Sequence, residues 1–583
     1  MAGKTNTSDI TNGLRIMNIE KIRTQIRSYI DKHQYQTALF WADKVVTLTG
    51  ELKDEYWYVQ CMYLSRQFNR AADYITQKSL QEYKTFRYLA AKCLTSVKKW
   101  EEALDMLENA ETQNKALGSI LGVSACPRME DVSETLPLEN TASSTALLKG
   151  QIYEALDNRV QAISYYKQAL KFDVHNYQAF DLLVKHQMLT SKEERELLDS
   201  LPFKIQCSEE EAEVVKGLYE TLLKKYDKPS DSSLPEALST VKSNRDVITN
   251  QAERVYYNCD FHTCYKLTSS VLENDPWHDG CLQLHIATLV ELKKSNDLYY
   301  LAHKLVDNQP EMAISWFAVG CYYYLVKKYE AARKFLSKST LIDNLFGPAW
   351  LAFGHAFAAE GEHDQASAAY FTSARLMKGC HLPLLYSGLE YGLMRNFKLA
   401  EKLLDEALLI APSDPFVLHE MGVINFHNGD LETANRFLMQ ALTAIQENCQ
   451  GPMAEKWEPL LNNLGHVHRK LKKYDEALNF HRQALILSPQ NQSTLSSIGY
   501  CYVLMGQFSQ AIEYFHKALG SGGNDTFTST VLGHTLELFI GDMSPCEGLQ
   551  DLDLDAVAKE EVVATEKSAT SSLDIEVEME DND

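Results

Sequence analysis

Three groupings in the 583-residue chain bring together side chains able to do chemistry: Cys259 with His262 and Cys264, the adjacent pair Cys380-His381, and His466 with His468. The first offers zinc-type ligands, but no second pair follows at zinc-site spacing, so it reads as packing residues of one helical unit. Cys380 has a base beside it, yet adjacent side chains on a helix diverge and no third group orients the imidazole. His466 and His468 flank Val467 and face different sides of a helix. No phosphate loop, dinucleotide fingerprint, nucleophile elbow or His-Glu zinc helix occurs. The expectation is a chain without a catalytic centre, metal or cofactor, whose chemistry is recognition.

Recognition side chains need a frame, and the frame is a repeat. Gly320, Gly354, Gly388 and Gly422 lie 34 residues apart, and Ala332, Ala366, Ala400 and Ala434 repeat the step 12 residues later. Gly465, Gly499 and Gly533 continue the register after one step of 43, which places a 9-residue insertion between Ala441 and Trp457. Pro276, Pro310, Pro412 and Pro489 stop helices at matching ends. This spacing is that of the tetratricopeptide (TPR) helix-turn-helix unit. One unit cannot bury its apolar face alone, so the units must stack. The fold class expected is all-α, a TPR right-handed superhelical solenoid.

Degenerate units extend the array towards the N-terminus. Ile22, Ile26, Tyr29 and Ile30 form one apolar stripe, and Gly150, Tyr153, Ala162 and Ala169 mark a later unit. The organisation expected is a disordered extension over 1–16, N-terminal TPRs over 17–110 and an inserted loop over 111–142. Middle TPRs over 143–310, a C-terminal TPR superhelix over 311–542 and an acidic disordered tail over 543–583 complete it.

Charge and composition narrow the partners. A net charge of −22 excludes the basic face that nucleic acid requires. Met543 to Asp583 holds 13 acidic residues against Lys559 and Lys567, so much of the excess is local. The 12 scattered cysteines read as reduced, buried thiols. No apolar run approaches the roughly 18 residues that span a bilayer, and the first residues lack a signal-type apolar core. An intracellular protein without a membrane partner is the expectation.

A TPR array presents its first helices to a concave groove. The register places Phe317, Cys321, Tyr324, Leu385, Leu389, Phe416, His419, Val423 and Phe426 there, followed by Asn462, His466, Arg469, Lys470, Tyr500 and Leu504. Such a lining suits an extended peptide: apolar pockets hold side chains while Asn462 and Arg469 bond main chain or carboxylates. Asn462 is a polar amide on an apolar face and requires a partner.

The strings QYQTALFWADKVVTL (34–48), YYNCDF (256–261), SWFAVGCYYYLV (315–326), LMKGCHLP (376–383) and KWEPLLNNLGHV (456–467) resemble signature segments of one family. It is the TPR scaffold-subunit family of the anaphase-promoting complex, or cyclosome, and the similarity covers about residues 17–542. The resemblance implies a non-catalytic subunit of a multisubunit ubiquitin ligase that marks mitotic cyclins and securin, with catalysis in separate cullin-like and RING subunits. It implies homodimers formed through N-terminal repeats, here with Tyr29, Phe40, Trp41, Tyr56 and Trp57 at the contact. It implies a C-terminal superhelix that encloses the acetylated N-terminus of a small subunit, alongside other TPR subunits of the complex. Nucleus and cytoplasm, with centrosome and spindle in mitosis, are the implied locations. The chain departs from the family in its extension before Met17 and its acidic tail, where Ser544-Pro545 is a proline-directed site.

Two alternatives compete. A TPR co-chaperone adaptor clamping acidic C-terminal peptides needs Lys and Arg on consecutive first helices, whereas Arg469 and Lys470 stand nearly alone. A TPR-transferase fusion needs a further domain that the acidic tail does not provide.

Overall fold

The computed structural model describes residues 18–108, 141–224, 238, 241–448, 453–522 and 525–540. The N-terminal extension, most of the expected 111–142 loop, the acidic tail and Ser544-Pro545 lie outside the described residues. Two loop positions are corrected: Thr141 and Ala142 already belong to a helix, Thr141–Ala155.

All regular structure among the described residues is helical, and successive helices pair antiparallel across tight turns. The turns follow one rule. After Ala313–Leu325, Lys327 takes a left-handed φ of 61°, and its N–H and that of Lys328 bond the carbonyls of Tyr324 and Tyr323 at 3.0 and 2.9 Å. These bonds satisfy carbonyls orphaned at the helix end and reverse the chain into Tyr329–Ile342. Arg66, Lys98, Lys293, Arg395 and Lys472 hold the same conformation in other units.

The chain divides into two compact units. The first contains the described residues up to Leu183 together with Ser200–Ser208. Its helices include Ile19–Asp31, Tyr35–Thr49, Leu52–Leu64, Phe68–Gln77, Lys84–Ser96 and Arg159–Phe172, around a core with Ala38, Val59, Met62, Phe86 and Ile152. The second contains Val184–Asp199 and the described residues from Glu209 onward. The boundary expected at 310 lies inside this second unit, where the pairs from Arg245–Tyr257 with Phe261–Asn274 to Gln492–Leu504 with Phe508–Gly522 run without a break in type.

The glycine register has a steric cause that the repeat spacing alone does not name. A Cβ on Gly320, Gly354, Gly388, Gly422, Gly465 or Gly499 would strike the side chain sixteen residues later: Leu336, Tyr370, Leu404, Leu438, His481 or Phe515 respectively. The second helix drives one large residue into the first, and only hydrogen makes room for it. Ala332, Ala366, Ala400, Ala434 and Ala477 are buried beside the same crossing. Close packing of this kind tolerates little added volume.

Candidate functional site

Within the second unit the first helices place Tyr256, Tyr324, His355 and Tyr386 around a common space. All four keep part of their surface accessible although protein surrounds them. Tyr324 and Tyr386 rest one side on core clusters with Phe317 and Tyr370, and the partly accessible side of the four is read as the lining of a lumen. Burial pushes the three tyrosine hydroxyls up, with the Glu291 carboxylate adding to the effect. Burial holds the His355 imidazole down at about 4, and Lys456 acts in the same direction. All four groups are therefore neutral near pH 7, hydrogen-bonding but uncharged. The His355 ring is fixed by Tyr370, whose hydroxyl lies 2.8 Å from Nδ1, and by an edge contact to Tyr386 with centroids 4.4 Å apart.

The register residues divide on the same criterion. Tyr324, Leu389, His419, Phe426 and Arg469 remain partly accessible on first helices. His419 is tied to both neighbours: Asn463 Nδ2 donates to its Nε2 at 2.9 Å, and its Nδ1 lies 2.9 Å from Glu420. The Arg469 guanidinium lies 4.6 Å from the centre of the Tyr500 ring.

Six assignments require correction. Phe317 belongs to the core, buried against Phe346 with centroids 5.5 Å apart. Leu385 and Val423 are likewise buried. Asn462 has its partner inside its own unit, because His481 Nδ1–H donates to Asn462 Oδ1 at 2.6 Å. His466 and Tyr500 are buried to the same degree as Val423, each 8% exposed, His466 against His481 and Tyr500 against Phe527. Sequence reading missed Tyr386, beside the named Leu385, as well as two register positions: His355, one repeat before Leu389, and Tyr256, two repeats before Tyr324 in a unit without a register glycine. Extending the 34-residue step through every unit would have found both.

The chemical groupings resolve as packing. Cys264 is buried, with Sγ 3.3 Å from Thr288, while His262 is exposed. The Cys380 thiol is pushed up by burial, the reverse of an activated nucleophile, and His381 Nε2 sits 3.3 Å from Asp414. No group of three His, Cys, Asp or Glu able to hold a metal ion occurs among the described residues.

In the first unit, Phe40 is 56% exposed, and Trp41, Trp57 and Tyr29 keep partial access. Tyr56 does not: it is buried edge-on against Phe86, with centroids 6.2 Å apart, and belongs to the core instead of a docking face. Trp57 lines a recess with Arg23, Arg27, Lys53 and Asp54, where Arg27 lies 5.3 Å from the indole centre. Asp54 is buried and held by two bonds from Arg23, at 2.9 and 2.7 Å.

Comparison with known proteins gives a consistent result. A family model described as anaphase-promoting complex, cyclosome, subunit 3 matches residues 31–110, and tetratricopeptide-repeat models match 144–173, 315–342 and 458–521. The chain is 54% identical over 531 residues to the cell division cycle protein 16 homolog of Homo sapiens, covering 90% of this chain and 85% of that protein. It is 39% identical to anaphase-promoting complex subunit 6 of Arabidopsis thaliana, with 90% and 97% covered. It is 34% identical to anaphase-promoting complex subunit cut9 of Schizosaccharomyces pombe, with 87% and 74% covered. Among solved structures, the APC/C hetero-tetramer Cut9-Hcn1 aligns with a TM-score of 0.71 at 32% identity, covering 91% of this chain and 99% of that chain.

Proposed function

Because the chain belongs to the family of TPR subunits of the anaphase-promoting complex that includes cell division cycle protein 16 homologs, we propose that it acts there as a non-catalytic scaffold that homodimerises through its N-terminal repeats and holds a small peptide-like subunit in its second unit. The observation that carries this reading is the set of partly accessible, uncharged side chains Tyr256, Tyr324, His355 and Tyr386, which we read as lining a lumen. Neutral hydroxyls and an uncharged imidazole bond main-chain amides while aromatic faces take apolar side chains. A capped, uncharged peptide end such as an acetylated N-terminus suits that space. A carboxylate does not, because the lumen offers it no cationic clamp on consecutive helices, and this counts against the co-chaperone alternative. The reading places the protein in nucleus and cytoplasm, associated with the spindle and centrosome in mitosis.

The dimer contact falls to the exposed Phe40 and the partly accessible Trp41 and Trp57. Native mass measurement should give two copies of the chain, each with one small subunit, and other subunits of the complex should copurify. A protein recovered only as a free monomer would contradict the scaffold reading. Leu389→Glu places a charge in the lumen at a side chain that is only partly buried. Recovery of the small subunit should fall about tenfold or more, since a desolvated carboxylate costs several kcal/mol. The melting temperature should stay within a few degrees of the parent. Undiminished recovery would remove Leu389 from the binding surface.

A further inference from the structure

Repeats of a solenoid normally touch only their neighbours. The second unit departs from that rule where Lys456 Nζ lies 3.0 Å from both carboxylate oxygens of Glu291, 165 residues earlier in the chain. The ion pair is not isolated. The same ammonium stands 5.2 Å from the centre of the Phe261 ring and 5.4 Å from that of Phe416. Beneath it Phe416 packs on Trp457, centroids 4.4 Å apart, and Cys259 and Phe261 join one apolar cluster with Leu418, Leu460 and Leu461. Helices near 260–290 thus meet helices near 416–461 through an apolar floor and an ionic latch.

The latch sits where the repeat spacing changes. The insertion between Ala441 and Trp457 delays the next unit and delivers a short turn, Glu455–Trp457, whose Trp457 N–H bonds Ala454 O at 3.1 Å. Trp457 is 5% exposed and anchors the turn, which leaves Lys456 projecting towards Glu291. The carboxylate it engages is the one that acts on the lumen tyrosines Tyr256, Tyr324 and Tyr386.

We propose that this segment is a clasp: Lys456 on Glu291 closes the second unit around its lumen, and clasp opening sets the rate at which a polypeptide held there is released. The assignment rests on the lumen reading above. A cation beside two aromatic rings and paired with a carboxylate gains from both contacts, which favours the closed state. The side chains remain about one-third exposed, which lets the latch exchange without unfolding the array.

Charge reversal tests it in the full chain with its copurified small subunit. Lys456→Glu opposes two carboxylates. It should speed hydrogen exchange of the Cys259, Asp260 and Trp457 amides, and release of the small subunit, about tenfold. Glu291→Lys should do the same, and the double reversal should return both rates to within about twofold of the parent. Lys456→Arg should leave both nearly unchanged. Parent-like amide exchange in Lys456→Glu would overturn the clasp, and faster exchange with unchanged release would overturn its control of the lumen. Absence of any bound small subunit in the parent would sink the lumen reading instead, while the amide exchange still decides whether the closure exists.

Discussion

Gly379→Ala is expected to destabilise the second unit by about 4 kcal/mol and to free the segment around residues 187–199. Gly379 lies outside the 34-residue register, between the helices His363–Leu376 and Leu382–Leu393. A Cβ there would collide with backbone, the carbonyl of Leu189, which has no soft side chain to yield. The Gly379 N–H also donates to Gln187 O at 2.7 Å, so the two strands of chain cannot separate without losing that bond. Overpacking costs about 1–3 kcal/mol, and a broken buried hydrogen bond about as much again. The Leu189 carbonyl has a second duty, because it accepts from Lys224 Nζ, whose other partner is the buried Glu194 at 2.7 Å. Displacing Leu189 therefore loosens a buried ion pair too, and breaking such a pair is more costly than losing a surface one. Hydrogen exchange should localise the loss to the helix Ser191–Ser200 and the segment before it, and denaturant unfolding should give its size. Gly520→Ala is the control. It sits in the helix Phe508–Gly522 with open space where a Cβ would go, and should be neutral or slightly stabilising. Equal stability of Gly379→Ala and the parent would show that this docking contributes nothing.

That glycine marks the limit of what the sequence made legible. The string LMKGCHLP identified the family by resemblance, yet nothing in its composition says why glycine stands at 379, because the carbonyl it admits is about 190 residues away in the chain. Local order was readable: Gly320 and its successors, the matching alanines and the terminating prolines report contacts within one helix pair, which always lie at a fixed sequence offset. The lumen was readable only in part. Tyr324 and Leu389 follow from the register, but Phe317, Leu385 and Asn462 share that face and are buried, because a first helix turns one side to the lumen and the adjoining side to its own partner helix. The closure at Glu291 and Lys456 was invisible. The pitch that brings units five repeats apart into contact accumulates from small rotations at each interface, and no single spacing encodes it.

Acidification should destabilise the second unit steeply below pH 6.5 through buried histidines, of which His285, His355 and His481 together account for about 6 kcal/mol at pH 5. Burial holds His285 and His355 at about 4 and His481 at about 3, and keeps His466 well below its ordinary value, with Arg469 disfavouring charge on His481 and His466. The sign follows from the proton count. The unfolded chain takes up protons near pH 6.5 and the folded unit does not, so stability is complete above 6.5 and falls as pH drops towards the folded values. His285, His355 and His481 then each lose about 2 kcal/mol by pH 5, and His466 acts in the same direction. The carboxyls of Glu390 and Glu458, both raised by burial, act in the opposite direction and offset part of the loss at lower pH. His481 makes the effect separable. It occupies the position where other units place Leu336, Tyr370, Leu404, Leu438 or Phe515 against the register glycine, so the site accepts an apolar ring. Its Nδ1–H is committed to Asn462, and Nε2 has no hydrogen-bond partner, so an added proton would meet no acceptor. His481→Phe should remove about 2 kcal/mol of the pH dependence between pH 7 and pH 5, yet cost about 1–3 kcal/mol at pH 7 because Asn462 is left buried and unpaired. Asn462→Leu combined with His481→Phe should recover that loss and keep the shallower pH profile, as judged by denaturant unfolding between pH 7 and pH 5. If the double variant keeps the parent's full acid sensitivity, the titrating groups lie elsewhere.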